Sequence, residues 1–272
     1  MDKIVIKDFE VFANHGVFQE EKNLGQKFIL SIELYLDTRC AGKTDDLTKS
    51  IHYGELLNDI EKEFTKTSYD LIERAGEEIC EFILLNYSLV KEVKLTLKKP
   101  WAPVLKNVDY VALEIKRKWN DVYIACGANM GDKEETIKNA IEKLKEYKDI
   151  KLNKVSNFYT TKPVGYENQD DFVNCAFYIQ TLKTPSELMD TLLDIEKYFK
   201  RERLIKWGPR TLDLDIIFYN DLISYDEKVL LPHPRAHERQ FVMKPLCDIN
   251  PYFIHPVYKK RIMDISSELG EL

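Results

Sequence analysis

Residues 208–219, GPRTLDLDIIFY, constrain the chain more than any other stretch, because they join a β-branched apolar run to two closely spaced acids. A run of that kind is written for a strand lying on a core. Side chains two apart in a strand share a face, so Asp213 and Asp215 stand on one side and Leu212, Leu214 and Ile216 on the other. Two carboxylates side by side on a half-buried surface repel each other and lose hydration. A basic partner, a metal ion or a proton must neutralise them.

The surrounding sequence is rich in cations: Arg201, Arg203, Lys206, Arg210, Lys228, Arg235 and Arg239. They permit plain structural ion pairs. They equally suit a polyphosphate ligand, since arginine forks match phosphate oxygens while carboxylates hold the Mg²⁺ that bridges them. Carboxylate oxygens are hard ligands and fit Mg²⁺ better than zinc. A second patch, TTKPVGYENQDDFVNCA (160–176), is a turn-rich loop followed by a strand. With Phe241 further on, Phe172 could sandwich a planar heterocycle while Asn174 offers paired donor and acceptor groups. Core packing is the plainer role for both phenylalanines.

The 272 residues suffice for one large domain or two of ordinary size. With 44% hydrophobic and 32% charged residues, the chain has the composition of a soluble globular protein. A net charge of −6 argues against a general nucleic-acid or membrane-surface partner but leaves room for a local basic pocket. The five cysteines are widely spaced with no CxxC pair, which suits reduced thiols in the cytoplasm. The charged start, MDKIVIKDFE, is no secretory leader, and no apolar run reaches membrane-spanning length.

Strands are expected at 4–13, 27–37, 92–98 and 108–116, and helices at 53–65 and 70–86, the latter with Leu71, Ala75, Ile79 and Phe82 on its buried side. KRKWND (116–121) is the expected junction. A second unit follows, with a strand at 122–127, a helix capped at Asp132, strands at 152–160 and 172–181, and a helix opened by the capping box TPSE (184–187). The aspartate strand comes next, then a loop to about residue 240 and a weakly helical tail, KRIMDISSEL.

CGANMGD, VSNFYTTKPVG, DFVNCA, WGPRTLDLDI and LPHPRAHERQFV resemble, in order and spacing, the 6-hydroxymethyl-7,8-dihydropterin pyrophosphokinase family over residues 121 to about 260. The resemblance implies an α+β sandwich with a mainly antiparallel sheet and flanking helices. It implies that Asp213 and Asp215 hold two Mg²⁺ ions while a pyrophosphoryl group passes from ATP to the pterin hydroxymethyl oxygen. Thr161, Val164, Phe172, Asn174 and Phe241 would bind the pterin. Arg201 and Arg210 would act in catalysis, and Glu196, Arg203, Ile216, Lys228, His233 and Arg239 would hold the nucleotide.

In the first half, HGVFQEEKNLGQ, IHYGEL, LIER and LKKPWAP are similar to the dihydroneopterin aldolase family over residues 1 to about 118. That likeness implies a four-stranded antiparallel sheet with two helices, of the tunnelling-fold type, assembling into tetramers or octamers with sites between subunits. Lys99 and Tyr53 would form the acid–base pair, Glu21 would lie near the side-chain hydroxyls, and Glu73 would anchor the pterin edge. Val17, His52 and Ile72 would complete the pocket. No cofactor is implied here, because dihydroneopterin carries its own C=N electron sink. A lysine base must shed its proton, so Lys99 is expected to be desolvated or close to another cation. The implied chain is a bifunctional folate-pathway enzyme, domains 1–118 and 121–272, whose first product is the acceptor of its second reaction. Its partners would be pterins and ATP, with no nucleic acid and no membrane. The rivals are a pyrophosphokinase with an inactive aldolase-like oligomerisation domain, and a non-catalytic pterin- or nucleotide-binding regulator.

Overall fold

The structure, a computed structural model, describes residues 1–163, 169–199 and 210–271. The chain divides into two compact units, Met1–Trp119 and Asn120–Leu272.

In the first unit, β1 (Asp2–Ala13), β2 (Gln26–Leu36), β3 (Glu92–Lys99) and β4 (Val111–Lys118) form an antiparallel sheet in sequence order. The alternation in β2 builds its core: Phe28, Leu30, Ile32, Leu34 and Leu36 are all 0% exposed. Each contributes about 1.5–3 kcal/mol of hydrophobic stabilisation. Two short helices, α1 (Gln19–Leu24) and α2 (Arg39–Thr44), precede the longer α3 (Tyr53–Lys66) and α4 (Ile72–Asn86). Helix α4 lies against β3 and β4, and at Gly76 an added Cβ would stand 2.7 Å from the Leu113 side chain. Leu71 is the N-cap of α4 and is exposed, so the buried stripe runs instead through Ala75, Ile79, Cys80, Ile83 and Leu84.

KRKWND spans the division between the two units and is itself almost all strand. Strand β4 runs to Lys118, a new strand begins at Asn120, and only Trp119 separates them. The charges belong to strand pairing: Lys116 meets Glu92 across the sheet at 2.8 Å, and Arg117 pairs with Glu77 of α4. Trp119 is buried, its indole N–H donating to the Leu84 carbonyl.

The second unit holds β5 (Asn120–Ala128), β6 (Ile150–Val155), β7 (Tyr159–Thr161), β8 (Phe172–Thr181) and β9 (Asp213–Tyr219). All pairs are antiparallel, in the order β6-β8-β5-β9 with β7 on β8. The single strand expected at 152–160 is broken because Ser156 turns inward, its Oγ accepting the Ala176 N–H. Helices α5 (Lys133–Lys145) and α6 (Pro185–Tyr198) cover one face of this sheet, packing on Ile124, Phe177 and Leu214. Thr184 and Glu187 close the capping box of α6 reciprocally, and Asp132 caps α5.

The opposite face carries α7 (Gln240–Ile249) and α8 (Ile262–Leu269), packed on Tyr123, Ala176 and Phe218. The hairpin β10 (Ser224–Tyr225) and β11 (Leu230–Leu231) and a short turn of helix fill the segment expected to be loop. Helix α7 carries Pro245 in its interior, a residue that usually argues against a helix.

Candidate active sites

Strand β5 is the floor of the second unit's cleft. Its Gly127 lies opposite Asn174 of β8 on one side and Asp213 of β9 on the other. Two residues back, Ala125 lies between Ala176 and Asp215 in the same way. The period of two thus brings the amide, both carboxylates and three of the smallest residues to one face. The opposite alternation sends Leu212, Leu214 and Ile216 into the core. Past Ile216 a β-bulge inserts Ile217, whose carbonyl accepts the His233 N–H at 3.0 Å. That bond draws the 232–241 segment over the end of the sheet.

The result is a cleft of about 470 Å³. Thr161, Phe172, Asn174 and Phe241 line it, as do Arg210, Asp213, Asp215, His233 and Arg239, with Asn174 and Asp213 on opposite sides of Gly127. Asn174 donates from Nδ2 to Thr161 Oγ1 at 2.7 Å, which fixes its amide. Arg210 is ion-paired with Asp213. Burial and the neighbouring Arg235 pull the Arg239 guanidinium below its ordinary value, against the attraction of Asp215 and Asp213. Burial, reinforced by Arg239, holds the His233 imidazole near pKa 4, so it is neutral at physiological pH. Arg235, one of the cations counted around the aspartates, also faces the cleft, as does Lys162, to which the sequence assigned no role.

Asp213 and Asp215 present hard oxygens on one face, beside cations that suit phosphate. Among the described residues no group of three or more His, Cys, Asp or Glu converges on a point. A two-carboxylate set of this kind suits Mg²⁺, which keeps water and substrate phosphates as its remaining ligands. The other expected nucleotide contacts are placed differently. Ile216 points into the core, leaving only its backbone near the ligand face. Glu196 is 2% exposed on α6, where Oε1 accepts the Leu214 N–H at 2.7 Å and so holds the peptide between the two aspartates from behind. Lys228 pairs with Asp190 of α6 at 2.7 Å and does not line the cleft. Val164, Arg201 and Arg203 lie outside the described residues.

Asn129, from CGANMGD, went unassigned in the sequence because an asparagine after a strand reads as turn chemistry. It is 1% exposed, accepts the Arg210 N–H at 2.7 Å and donates from Nδ2 to Gln169 Oε1 at 2.9 Å.

In the first unit Lys99, at the end of β3, meets Glu21 of α1 at 2.6 Å, and both side chains are 10% exposed. Lys98, one residue back on the other face, pairs with Asp8 instead. Lys99 is desolvated as expected, but its partner is an anion rather than a cation. Burial raises the Glu21 carboxyl, and hydrogen bonds from Lys99, the Phe18 N–H and Gln26 outweigh it, leaving the group below its ordinary value. Gly16 makes this possible, since a Cβ there would collide with the Glu21 carboxylate. Tyr53 and Glu73 stand at the first turns of α3 and α4, with His52 and Ile72 beside them in sequence, while Val17 lies between Gly16 and Phe18 in the loop before α1. Val17, His52, Tyr53 and Glu73 are exposed, and among the described residues no hydrogen bond or ion pair joins them to Lys99 or Glu21. His52 caps α3, accepting the Glu55 N–H at Nδ1.

Residues 123–251 match the family model described as 7,8-dihydro-6-hydroxymethylpterin-pyrophosphokinase. The 2-amino-4-hydroxy-6-hydroxymethyldihydropteridine pyrophosphokinase of Bacillus subtilis is 43% identical over 48% of this chain and 78% of that protein. The chain belongs to this pyrophosphokinase family. Residues 4–116 match the family model described as dihydroneopterin aldolase, so the two models match successive stretches of one polypeptide. The folic acid synthesis protein FOL1 of Dictyostelium discoideum is 32% identical across 94% of this pyrophosphokinase-family chain and 43% of its own length. For fol1 of Pneumocystis carinii the figures are 31%, 94% and 36%. The chain therefore spans less than half the length of these two relatives. A solved structure of E. coli dihydroneopterin aldolase in complex with neopterin is 28% identical over 43% of this chain and 99% of that one, with a TM-score of 0.40.

Proposed function

We propose that the chain catalyses two consecutive steps of folate synthesis, with residues 1–118 as the aldolase and 121–272 as the pyrophosphokinase. The observation that carries the second activity is the shared floor of β5, which sets Asn174 and Asp213 on either side of Gly127 in one cleft. Asn174 with Thr161 reads the polar edge of the pterin, and Phe172 and Phe241 take its faces. Asp213 and Asp215 would hold the two Mg²⁺ ions that arrive with ATP, which neutralise phosphate charge and orient the phosphates. Arg210 and Arg239 grip the triphosphate, and His233, neutral, can donate a hydrogen bond without adding charge. The hydroxymethyl oxygen attacks the β-phosphorus, the bond to the oxygen bridging the α- and β-phosphorus breaks, and AMP departs. Such a transfer asks the protein for in-line positioning and charge neutralisation rather than covalent help.

In the aldolase, Lys99 relays a proton off the side-chain hydroxyl adjacent to the bond that breaks. The released electron pair enters the pterin C=N, and glycolaldehyde leaves. Tyr53 returns a proton to the carbon left behind, giving 6-hydroxymethyl-7,8-dihydropterin. General acid–base help of this kind gives about 10²–10⁴-fold. The exposed Tyr53 and Glu73, joined to the buried Lys99–Glu21 pair by no hydrogen bond or ion pair among the described residues, support a site completed by a second copy, hence a homo-oligomer built through this unit. No helix of the described chain is long and apolar enough to cross a membrane; the reduced thiols of the reading suit the cytoplasm.

Incubation with dihydroneopterin, ATP and Mg²⁺, with every product identified by mass, tests the reading. Glycolaldehyde, AMP and the pterin diphosphate are expected together. Pterin diphosphate formed only from supplied hydroxymethyldihydropterin would leave the pyrophosphokinase alone. Neither product would leave a binding protein.

A further inference from the structure

The buried Asn129 bonds at once to two segments that line the cleft, at Arg210 and at Gln169. Its Oδ1 accepts the Arg210 N–H at 2.7 Å, and its own backbone N–H donates to the Arg210 carbonyl at 3.1 Å. Its Nδ2 donates to Gln169 Oε1 at 2.9 Å and to the Asp170 carbonyl at 3.3 Å. Arg210 is the partner of Asp213, and Asp170 lies two residues before Phe172. A residue that is 1% exposed can leave none of these groups to water, so losing one bond leaves a buried polar group unpaired. Lys133, opening α5 just after the same turn, adds a bond from Nζ to the Asp171 carbonyl at 2.7 Å, which keeps the 169–171 segment against the end of β5.

We propose that Asn129 is a positioning residue that couples the two ligands of the cleft, ordering the arginine at the phosphate end and the segment leading to Phe172 at the pterin end through one side chain. This rests on the pyrophosphokinase reading given above. The two functions of the amide are chemically separable. Oδ1 serves Arg210 and Nδ2 serves Gln169 and Asp170. A ligand that immobilises one segment through Asn129 removes part of the ordering cost for the other, which is positive coupling without any large movement. By linkage the effect is reciprocal, with each ligand tightening the other by the same factor.

The test uses the full chain and binding alone, with Mg²⁺, a non-hydrolysable ATP analogue and 6-hydroxymethylpterin, each titrated with and without the other by calorimetry. The wild-type protein is expected to show a reciprocal tightening of at least about fivefold. Asn129→Ala should bring that factor to within about twofold of unity while each ligand still binds. Asn129→Asp keeps an acceptor for the Arg210 N–H and loses the donor. It should retain nucleotide affinity and lose pterin affinity and coupling, a split that a general loosening of the fold would not produce. If Asn129→Ala does not fold, Asn129→Asp decides alone. Wild-type coupling preserved in either variant, or equal loss of both affinities in Asn129→Asp, overturns the proposal. A wild-type protein that binds neither ligand overturns the pyrophosphokinase reading and the coupling with it, whereas binding of both without coupling overturns the coupling only.

Discussion

Replacing Gly127 by alanine separates the stability of the second unit from its recognition of the pterin. An added Cβ would stand 2.9 Å from Asn174 Oδ1, about half an ångström inside ordinary van der Waals contact. Outside Asn174 the nearest atom is on Phe172, at 4.0 Å, and no Asp213 atom is among the three nearest. Asn174 must therefore give, and its 2.7 Å bond to Thr161 stretches or breaks, costing about 0.5–1.5 kcal/mol. Gly127 does not have a positive φ, so alanine is conformationally allowed and returns about 0.4–1 kcal/mol by restricting the unfolded chain. The two effects nearly cancel, and the melting temperature should move by no more than a few degrees. Pterin binding has no such compensation. A displaced Asn174 leaves polar groups unpaired at about 1–3 kcal/mol, roughly a 5- to 150-fold loss of affinity. Titration with 6-hydroxymethylpterin beside a thermal melt gives both numbers. Pterin affinity unchanged, or nucleotide affinity falling in parallel, would refute the role given to Asn174 and the floor beneath it.

Asp213→Asn should abolish pyrophosphoryl transfer, on the order of 10³-fold for several kcal/mol of lost charge stabilisation, with little change in melting because the pair with Arg210 is partly exposed; near-normal turnover in Mg²⁺ would remove the metal role. Lys99→Met should end glycolaldehyde release, leave transfer intact and destabilise the first unit by about 3 kcal/mol, at the low end for a broken buried pair because Gln26 and the Phe18 N–H still hold Glu21. Adding Glu21→Gln should recover most of that loss, and a double-mutant cycle measures it. His15 and His255 are both 1% exposed and held near pKa 4 by burial. The unfolded chain binds their protons first, so stability present above about pH 6.5 should be lost as pH falls toward 4, by up to roughly 3 kcal/mol each. His15→Phe should flatten this slope in an acid titration followed by near-ultraviolet circular dichroism.

The strands were legible because their alternation is strict. Each inward residue of β2 is fully buried, and the aspartate strand divides its faces as a period of two requires. Spacing could not supply the points where local and tertiary demands diverge. Leu71 reads as part of an apolar stripe but is spent on a helix cap. That the KRKWND junction is almost all strand was hidden because the partners of its charges, Glu92 and Glu77, are remote in sequence. Helix α7 was hidden by Pro245. In the sites, the acids and amide that project from strands were readable, as were Lys99 and Glu21. Asn129 was not, because its significance lies in bonds to residues some 40 and 81 positions away.

Peptide hydrogen bonding, not side-chain chemistry, sets the distance between Asn174 and Asp213. They sit on the two neighbours of β5, so their backbones are two strand spacings apart, about 9.5 Å. Substitutions elsewhere in the unit can tilt or soften the side chains, but none can alter that interval without dismantling the sheet. The cleft is in effect a gauge of fixed length. On the proposed reading, a guest must extend from the amide to the phosphates in one span, and an acceptor shorter or longer than a two-ring heterocycle with a single carbon arm would bind without delivering its hydroxyl.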